Sequence, residues 1–194
     1  MRIIAGQYKG RRLLPPPKGS DTRPITGIAR KSLFDILANR LDGAVVADLY
    51  CGTGTLGLEA LSRGARLVYF AERDKAVIAR LKRNIEAVGA RGRSVIWPGA
   101  VEAGLSGRLS SLEAPLDIAF VDPPYAHVRQ WSWERVTASI FAPLAAHLAA
   151  GGIVLLRADD KTDIPDSLGR LVKVRLKEYG NMIVALFARA QDGS

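Results

Sequence analysis

The sequence predicts an α/β protein built on a doubly wound, mostly parallel sheet, and three observations carry that expectation. From residue 44 onward, short apolar runs of strand length alternate with longer segments of helical period, the pattern of parallel strands joined by crossover helices. One such run, 44–49, leads into the glycine-rich turn Cys51-Gly52-Thr53-Gly54, and another, 117–121, into Asp122-Pro123-Pro124-Tyr125. Open parallel sheets place their ligands outside the carboxyl ends of the strands, so both segments fall where a site belongs.

In chain order, a leader over residues 1–22 comes first. Its Pro15-Pro16-Pro17 and Gly19 forbid a continuous helix, while 2–6 and 11–14 can pair as short strands around Gly10. A helix is expected over 26–40, where Ile28, Leu33, Phe34 and Leu37 form one apolar face. The repeat follows: strand 44–49 and a helix through 56–62, strand 67–71 and helix 74–88, a short strand 94–97, strand 117–121, a helix over 133–150 and strand 153–157. Residues 171–176 and 182–188 read as an antiparallel hairpin turning near Gly180-Asn181. The result is a Rossmann-like sheet of seven strands ending in a hairpin, with 1–25 as a short basic N-terminal extension and 26–194 as one domain.

Length and composition agree with a single core. The chain has 194 residues and is 48% hydrophobic, enough for one domain and little more. One cysteine cannot form an internal disulfide, and neither a signal-peptide core nor a membrane-length apolar run is present. The nearest candidate, 141–156, is interrupted by Pro143, His147 and Gly151-Gly152. A soluble, cytoplasmic monomer is expected. The net charge of +9 is unevenly placed, because residues 1–40 carry nine cations against two acids. A concentrated cationic surface gains free energy by releasing a polyanion's condensed counterions, which points to nucleic acid, with Arg2, Lys9, Arg11, Arg12 and Arg23 as candidate contacts.

The turn after the first strand is the candidate cofactor site. Gly52-Thr53-Gly54-Thr55-Leu56-Gly57 satisfies the glycine fingerprint of dinucleotide enzymes, and Glu72 ends the next strand near the spacing of a ribose-binding acid. A nicotinamide enzyme is therefore one reading. Asp48, just before the turn, favours another: a carboxylate there would repel a pyrophosphate but attract the ammonium of a methionine moiety. S-adenosylmethionine then becomes the expected cofactor. Asp48, Cys51, Gly52, Thr53 and Gly54 would form its first turn, Glu72 with Arg73 its ribose end, Gly99 and Ala100 the adenine border, and Asp122 its far side. Cys51 reads as a small buried filler rather than a nucleophile.

Asp122-Pro123-Pro124-Tyr125 suits transfer to a base amine. An exocyclic nitrogen is conjugated with its ring and nucleophilic only once rehybridised. Asp122 and a proline-pair carbonyl can accept its two N–H bonds and orient the lone pair, stabilising the positive charge that grows during transfer. The prolines lack N–H donors and stiffen the loop, and Tyr125 would stack on the extruded base. This chemistry needs no metal. Trp131 and Trp133 are near enough in sequence to line a base pocket.

These segments, with Arg2-Ile3-Ile4-Ala5-Gly6, Lys9-Gly10-Arg11-Arg12-Leu13, Thr22-Arg23-Pro24 and Gly57-Leu58-Glu59-Ala60-Leu61-Ser62-Arg63-Gly64-Ala65, resemble the RsmD-type bacterial methyltransferases along nearly the whole chain. After Arg23-Pro24 the chain departs from the family's usual polar stretch, with Ile25, Gly27, Ile28 and Lys31 in those places. The resemblance implies S-adenosylmethionine-dependent methylation of guanine N2 in small-subunit (16S) ribosomal RNA, free or in an assembly particle. An adenine-N6 methyltransferase and a non-catalytic rRNA-binding assembly protein of the same fold are the alternatives.

Overall fold

A computed structural model describes residues 1–17, 19 and 25–190. Helix α1 (Gly27–Ile36) starts at Thr26, whose side chain accepts the Ala29 N–H as an N-cap, and a single 3-10 turn (Ala38–Arg40) follows it. Strand β1 (Val45–Leu49), α2 (Thr55–Ser62), β2 (Leu67–Glu72), α3 (Lys75–Ala87), β3 (Ser94–Pro98), α4 (Leu105–Leu109) and β4 (Leu116–Val121) continue the alternation. Two one-turn helices, α5 (Tyr125–Val128) and α6 (Trp133–Val136), lead through a π-helical turn (Thr137–Phe141) into α7 (Ala142–His147). Then come β5 (Leu148–Asp159), β6 (Ser167–Leu168), β7 (Leu171–Tyr179) and β8 (Met182–Arg189).

All eight strands join one sheet in the order β3-β2-β1-β4-β5-β8-β7-β6. The first five pair in parallel, and β8, β7 and β6 are antiparallel. The chain runs outward from β1 to β3 on one side, then returns to lay β4 against the other side of β1. The β1/β4 junction is thus the topological switch point, where ligands bind in such sheets. Every residue of β1 is buried, because both faces of the sheet are covered. Val46, Val68, Phe70, Ile118 and Phe120 face a layer made by α1, α2, α3 and the leader, whereas Ala47, Leu49, Tyr69 and Ala119 face α4, the π turn and α7. Among the described residues, no helix is long and apolar enough to cross a membrane.

The sheet has eight strands where the sequence pattern gives seven; the extra one, β6, is two residues long and has no visible period. The expected helix over 133–150 is the largest difference. Pro143 has no N–H to donate four residues back, and there the ladder widens into the π turn. The helix ends at His147, and β5 begins at Leu148 with an irregular register against β4 before Gly152. The leader pairs antiparallel with itself, as expected, but only briefly: the Ile3 N–H donates to the Arg11 carbonyl (3.1 Å) and the Leu13 N–H to the Met1 carbonyl (3.0 Å). It is a clasp with one bridge, Arg2 to Arg12, whose Ile3 and Leu13 are buried in the core.

That clasp is pinned by buried polar groups of the domain. Glu59, fully buried on α2, accepts the N–H groups of Ile4 (2.8 Å) and Ala5 (3.0 Å) and pairs with Arg63. Ser62 Oγ accepts the Tyr8 N–H (2.9 Å). Asn84 on α3 brackets Leu14, accepting its N–H (2.7 Å) and donating to its carbonyl (3.2 Å). The same amide donates to the Thr53 carbonyl (2.9 Å), so one side chain ties the leader to the glycine-rich turn.

Candidate active site

A cleft of about 360 Å3 opens at the carboxyl ends of β1, β2, β3 and β4, within the size range of small-molecule sites. Three backbone hydrogen bonds register the loops that line it: Cys51 N–H to Ala71, Gly99 N–H to Glu72, and Asp122 N–H to Leu49 (3.0, 2.9 and 3.2 Å). The glycine-rich turn, the acid ending β2, the Gly99-Ala100 corner and the Asp122 loop therefore meet on one wall.

Most residues singled out in the sequence line this cleft: Cys51, Gly52, Thr53, Glu72, Arg73, Gly99, Ala100, Asp122, Pro123, Pro124 and Tyr125. Asp48 and Gly54 are not on its surface. Asp48 is 1% exposed, and its Oδ2 accepts the Gly57 N–H (2.8 Å), bracing the start of α2. Its Oδ1 has no partner among the described residues, and burial pushes its carboxyl up to about 8. Trp131 and Trp133 meet edge to face, and Trp131 packs on Phe141; neither lines the cleft. Of the candidate RNA contacts, Arg2, Lys9, Arg11 and Arg12 are exposed, and Arg23 lies outside the described residues.

The glycines divide the work. Gly52 has φ +56, and a Cβ there would meet no protein atom, so the position demands a left-handed backbone beside open cleft. At Gly57 a Cβ would stand 2.3 Å from Phe70 Cε1, so α2 can approach the sheet only without a side chain. The fingerprint thus combines cleft access with helix-to-sheet packing.

The donor and acceptor set fits S-adenosylmethionine. Glu72 accepts the N–H groups of Gly52 (3.1 Å), Arg73 (2.7 Å) and Asp74 (2.9 Å), which fixes its carboxylate and leaves acceptor capacity for a ribose hydroxyl. Thr53 Oγ1, on the cleft-lining turn, is buried and has no partner among the described residues, a polar atom that a polar ligand or water would satisfy. Burial and the neighbouring carboxylates push the Cys51 thiol well up, so it is neutral and no nucleophile.

Three contacts of the cleft carry no sequence signal, although Arg73 and His127 are themselves candidate ligand contacts. Arg157, on β5, forms a largely buried ion pair with Asp122 and places its guanidinium 5.6 Å from the centre of the Tyr125 ring. Burial pushes the Asp122 carboxyl up, and Arg157 pulls against it. Tyr50 adopts φ +59, strained for an aromatic residue, and donates to Glu102 (2.6 Å) on the cleft wall. Arg73 meets His127 at 3.4 Å, joining the β2 and β4 loops. The Pro124 carbonyl accepts the His127 N–H (2.9 Å) in starting α5, so of the proline pair it is Pro123 whose carbonyl the helix does not engage.

Fold and cleft together define a methyltransferase-type α/β domain. The chain belongs to the family described as conserved hypothetical protein 95, whose sequence model matches residues 1–188. It is 29% identical over 191 residues to YlbH of Bacillus subtilis, a candidate rRNA methyltransferase, covering 97% of this chain and 99% of that one. It is 38% identical over 125 residues to the ribosomal RNA small subunit methyltransferase D of Escherichia coli, a match spanning 64% of this chain and 60% of that protein's length. Among solved structures, a candidate methyltransferase of Escherichia coli, yhhF, superposes with a TM-score of 0.79 at 30% identity over 98% of both chains.

Proposed function

We propose that this protein methylates the exocyclic N2 of a guanine in small-subunit ribosomal RNA. The observation that carries the reading is the convergence of Asp122-Pro123-Pro124-Tyr125, Glu72 and the Gly52 turn on one cleft at the switch point. When bound there, S-adenosylmethionine supplies a methyl group on a sulfonium. Glu72 would hold its ribose, Gly52 and Thr53 would border its amino-acid end, and Gly99-Ala100 its adenine.

The chain's own contribution is positioning and electrostatics. Asp122 and the Pro123 carbonyl would accept the two amine N–H bonds, turning the nitrogen lone pair out of conjugation with the ring. The Asp122 charge would then offset the positive charge that grows on nitrogen. Tyr125, at the start of α5, offers a ring face for the extruded base. Arg157 pulls the carboxyl toward its ionised form in a site whose burial favours the neutral acid.

Asp122→Asn tests this. The amide keeps the shape of the loop but loses the charge, so single-turnover methylation of a small-subunit rRNA transcript should fall by orders of magnitude. S-adenosylmethionine affinity, read by calorimetry, should change little. Unchanged turnover would refute the role.

A further inference from the structure

The leader and the connection between β2 and β3, separate in sequence, form one face. Residues 1–17 carry four cations and no acid, and residues 73–93 carry seven cations and two acids; together they hold the chain's whole net charge of +9. The two segments lie against each other. Arg11 Nη1 donates to the Ala87 carbonyl at the end of α3 (3.4 Å), Arg80 Nη1 donates to the Pro15 carbonyl (3.0 Å), and Asn84 grips Leu14. Arg93 stacks over the Tyr8 ring at 5.7 Å.

Helix α3 turns its apolar stripe, Val77, Ile78, Leu81 and Ile85, to the sheet, which leaves Lys75, Lys82 and Arg83 exposed. Of the two acids, Asp74 caps the N-terminus of α3 and Glu86 is paired with Arg91 (2.8 Å). Lys9, Arg12, Lys75, Lys82 and Arg83 have no ion-pair partner among the described residues. The face starts at the cleft, whose wall includes Arg73, Asp74 and Val77, and follows α3 for about 20 Å at 1.5 Å per residue.

We propose that α3 and the leader clasp together form a phosphate track that carries the RNA backbone from the cleft mouth to the far end of the domain, with Lys82 and Arg83 as phosphate contacts. The assignment rests on the RNA-methyltransferase reading. It places half of the electrostatic footprint on a helix outside the leader. A protein partner would need apolar or aromatic anchors. On this face the described residues expose a single large apolar side chain, Leu14, at 38%. Closely spaced cations with few free acids suit phosphates, which position an RNA without reading its bases.

The test measures binding of an in vitro small-subunit rRNA transcript between 50 and 500 mM salt. The proteins are the parent, Lys82→Ala/Arg83→Ala, the charge-keeping Lys82→Arg/Arg83→Lys, and Arg175→Ala/Lys177→Ala on β7 at the other end of the sheet. Losing two contacts should lower the magnitude of the log-log salt slope by roughly 1.4 to 1.8, about 25- to 60-fold in affinity at 0.1 M salt. The charge-keeping variant and the β7 variant should match the parent, and S-adenosylmethionine affinity should not change. A parent-like slope in Lys82→Ala/Arg83→Ala, or an equal drop in the β7 variant, would overturn the track and leave the methyltransferase reading standing. So would a slope retained together with lost binding to an acidic ribosomal protein. A parent that shows no salt-dependent RNA binding would overturn both.

Discussion

Removing Arg157 should displace the pH dependence of catalysis rather than scale it. In the fold, burial pushes the Asp122 carboxyl up and the Arg157 guanidinium is the force opposing that rise. Among the described residues, Asp48 from β1, Cys51 from the glycine-rich turn, Glu72 from β2 and Tyr125 from α5 are the other titratable groups around this pair. An arginine held against an aspartate favours its ionised form, so Arg157→Ala should move the acid limb of kcat/KM alkaline along the pH axis. Each pH unit is a tenfold loss at any pH below the displaced limb, about 1.4 kcal/mol. The sign follows from the role: only ionised Asp122 accepts the amine N–H, so activity is lost as pH falls through its raised pKa. The assay is kcat/KM for a small-subunit rRNA transcript from pH 5.5 to 9.5, repeated in an Asp48→Asn background because Asp48, pushed up to about 8, titrates in the same window. Arg157→Lys should keep much of the parent's limb. A uniform loss with the limb unmoved would show that Arg157 only packs the site.

Asp48 should make stability fall as pH rises. Its folded value of about 8 lies above the ordinary 3.8, so the folded chain holds a proton that the unfolded chain releases; that stabilisation is complete below about pH 4 and lost as pH rises through about 8. Thermal melts of Asp48→Asn against the parent should diverge from pH 5 to pH 9 in the variant's favour, and parallel melts would contradict this. Asn84→Ala removes three neutral hydrogen bonds, about 2–4 kcal/mol in total, and should both lower the melting temperature and speed proteolysis of the leader. A leader as protease-resistant as the parent's would count against the clasp. Glu72→Gln should weaken S-adenosylmethionine in calorimetry while the parent binds NAD poorly; tight NAD binding would return the oxidoreductase reading.

What the sequence made legible was local. The β1 turn, the acid ending β2 and the Asp122 loop were readable because apolar runs mark strands and their carboxyl ends mark sites, and all but Asp48 and Gly54 of those residues reach the cleft wall. Asp48 shows the limit: its position before the turn was clear, but its rotation toward Gly57 and away from the cleft is a matter of side-chain packing. Arg157 was invisible because its partner is 35 residues away and joins it only through the β4–β5 pairing. Asn84 carries no local signal, because its three hydrogen bonds arise only where the leader lies across α3. The helix over 133–150 failed because an alanine-rich stretch keeps its helical period past His147, whereas pairing with β4 takes over from Leu148. The tryptophan pair packs instead on the core of the α4 and α7 side, where Trp131 meets Phe141.

Nucleoside mass spectrometry of small-subunit rRNA, from cells with and without the protein and from cells carrying Asp122→Asn, puts the proposed reaction to the test. One N2-methylguanosine should disappear when the protein is absent, return with the parent gene and stay absent with the Asp122 variant. Loss of N6-methyladenosine instead would move the target to the other base amine. An unchanged nucleoside profile would contradict the proposed activity.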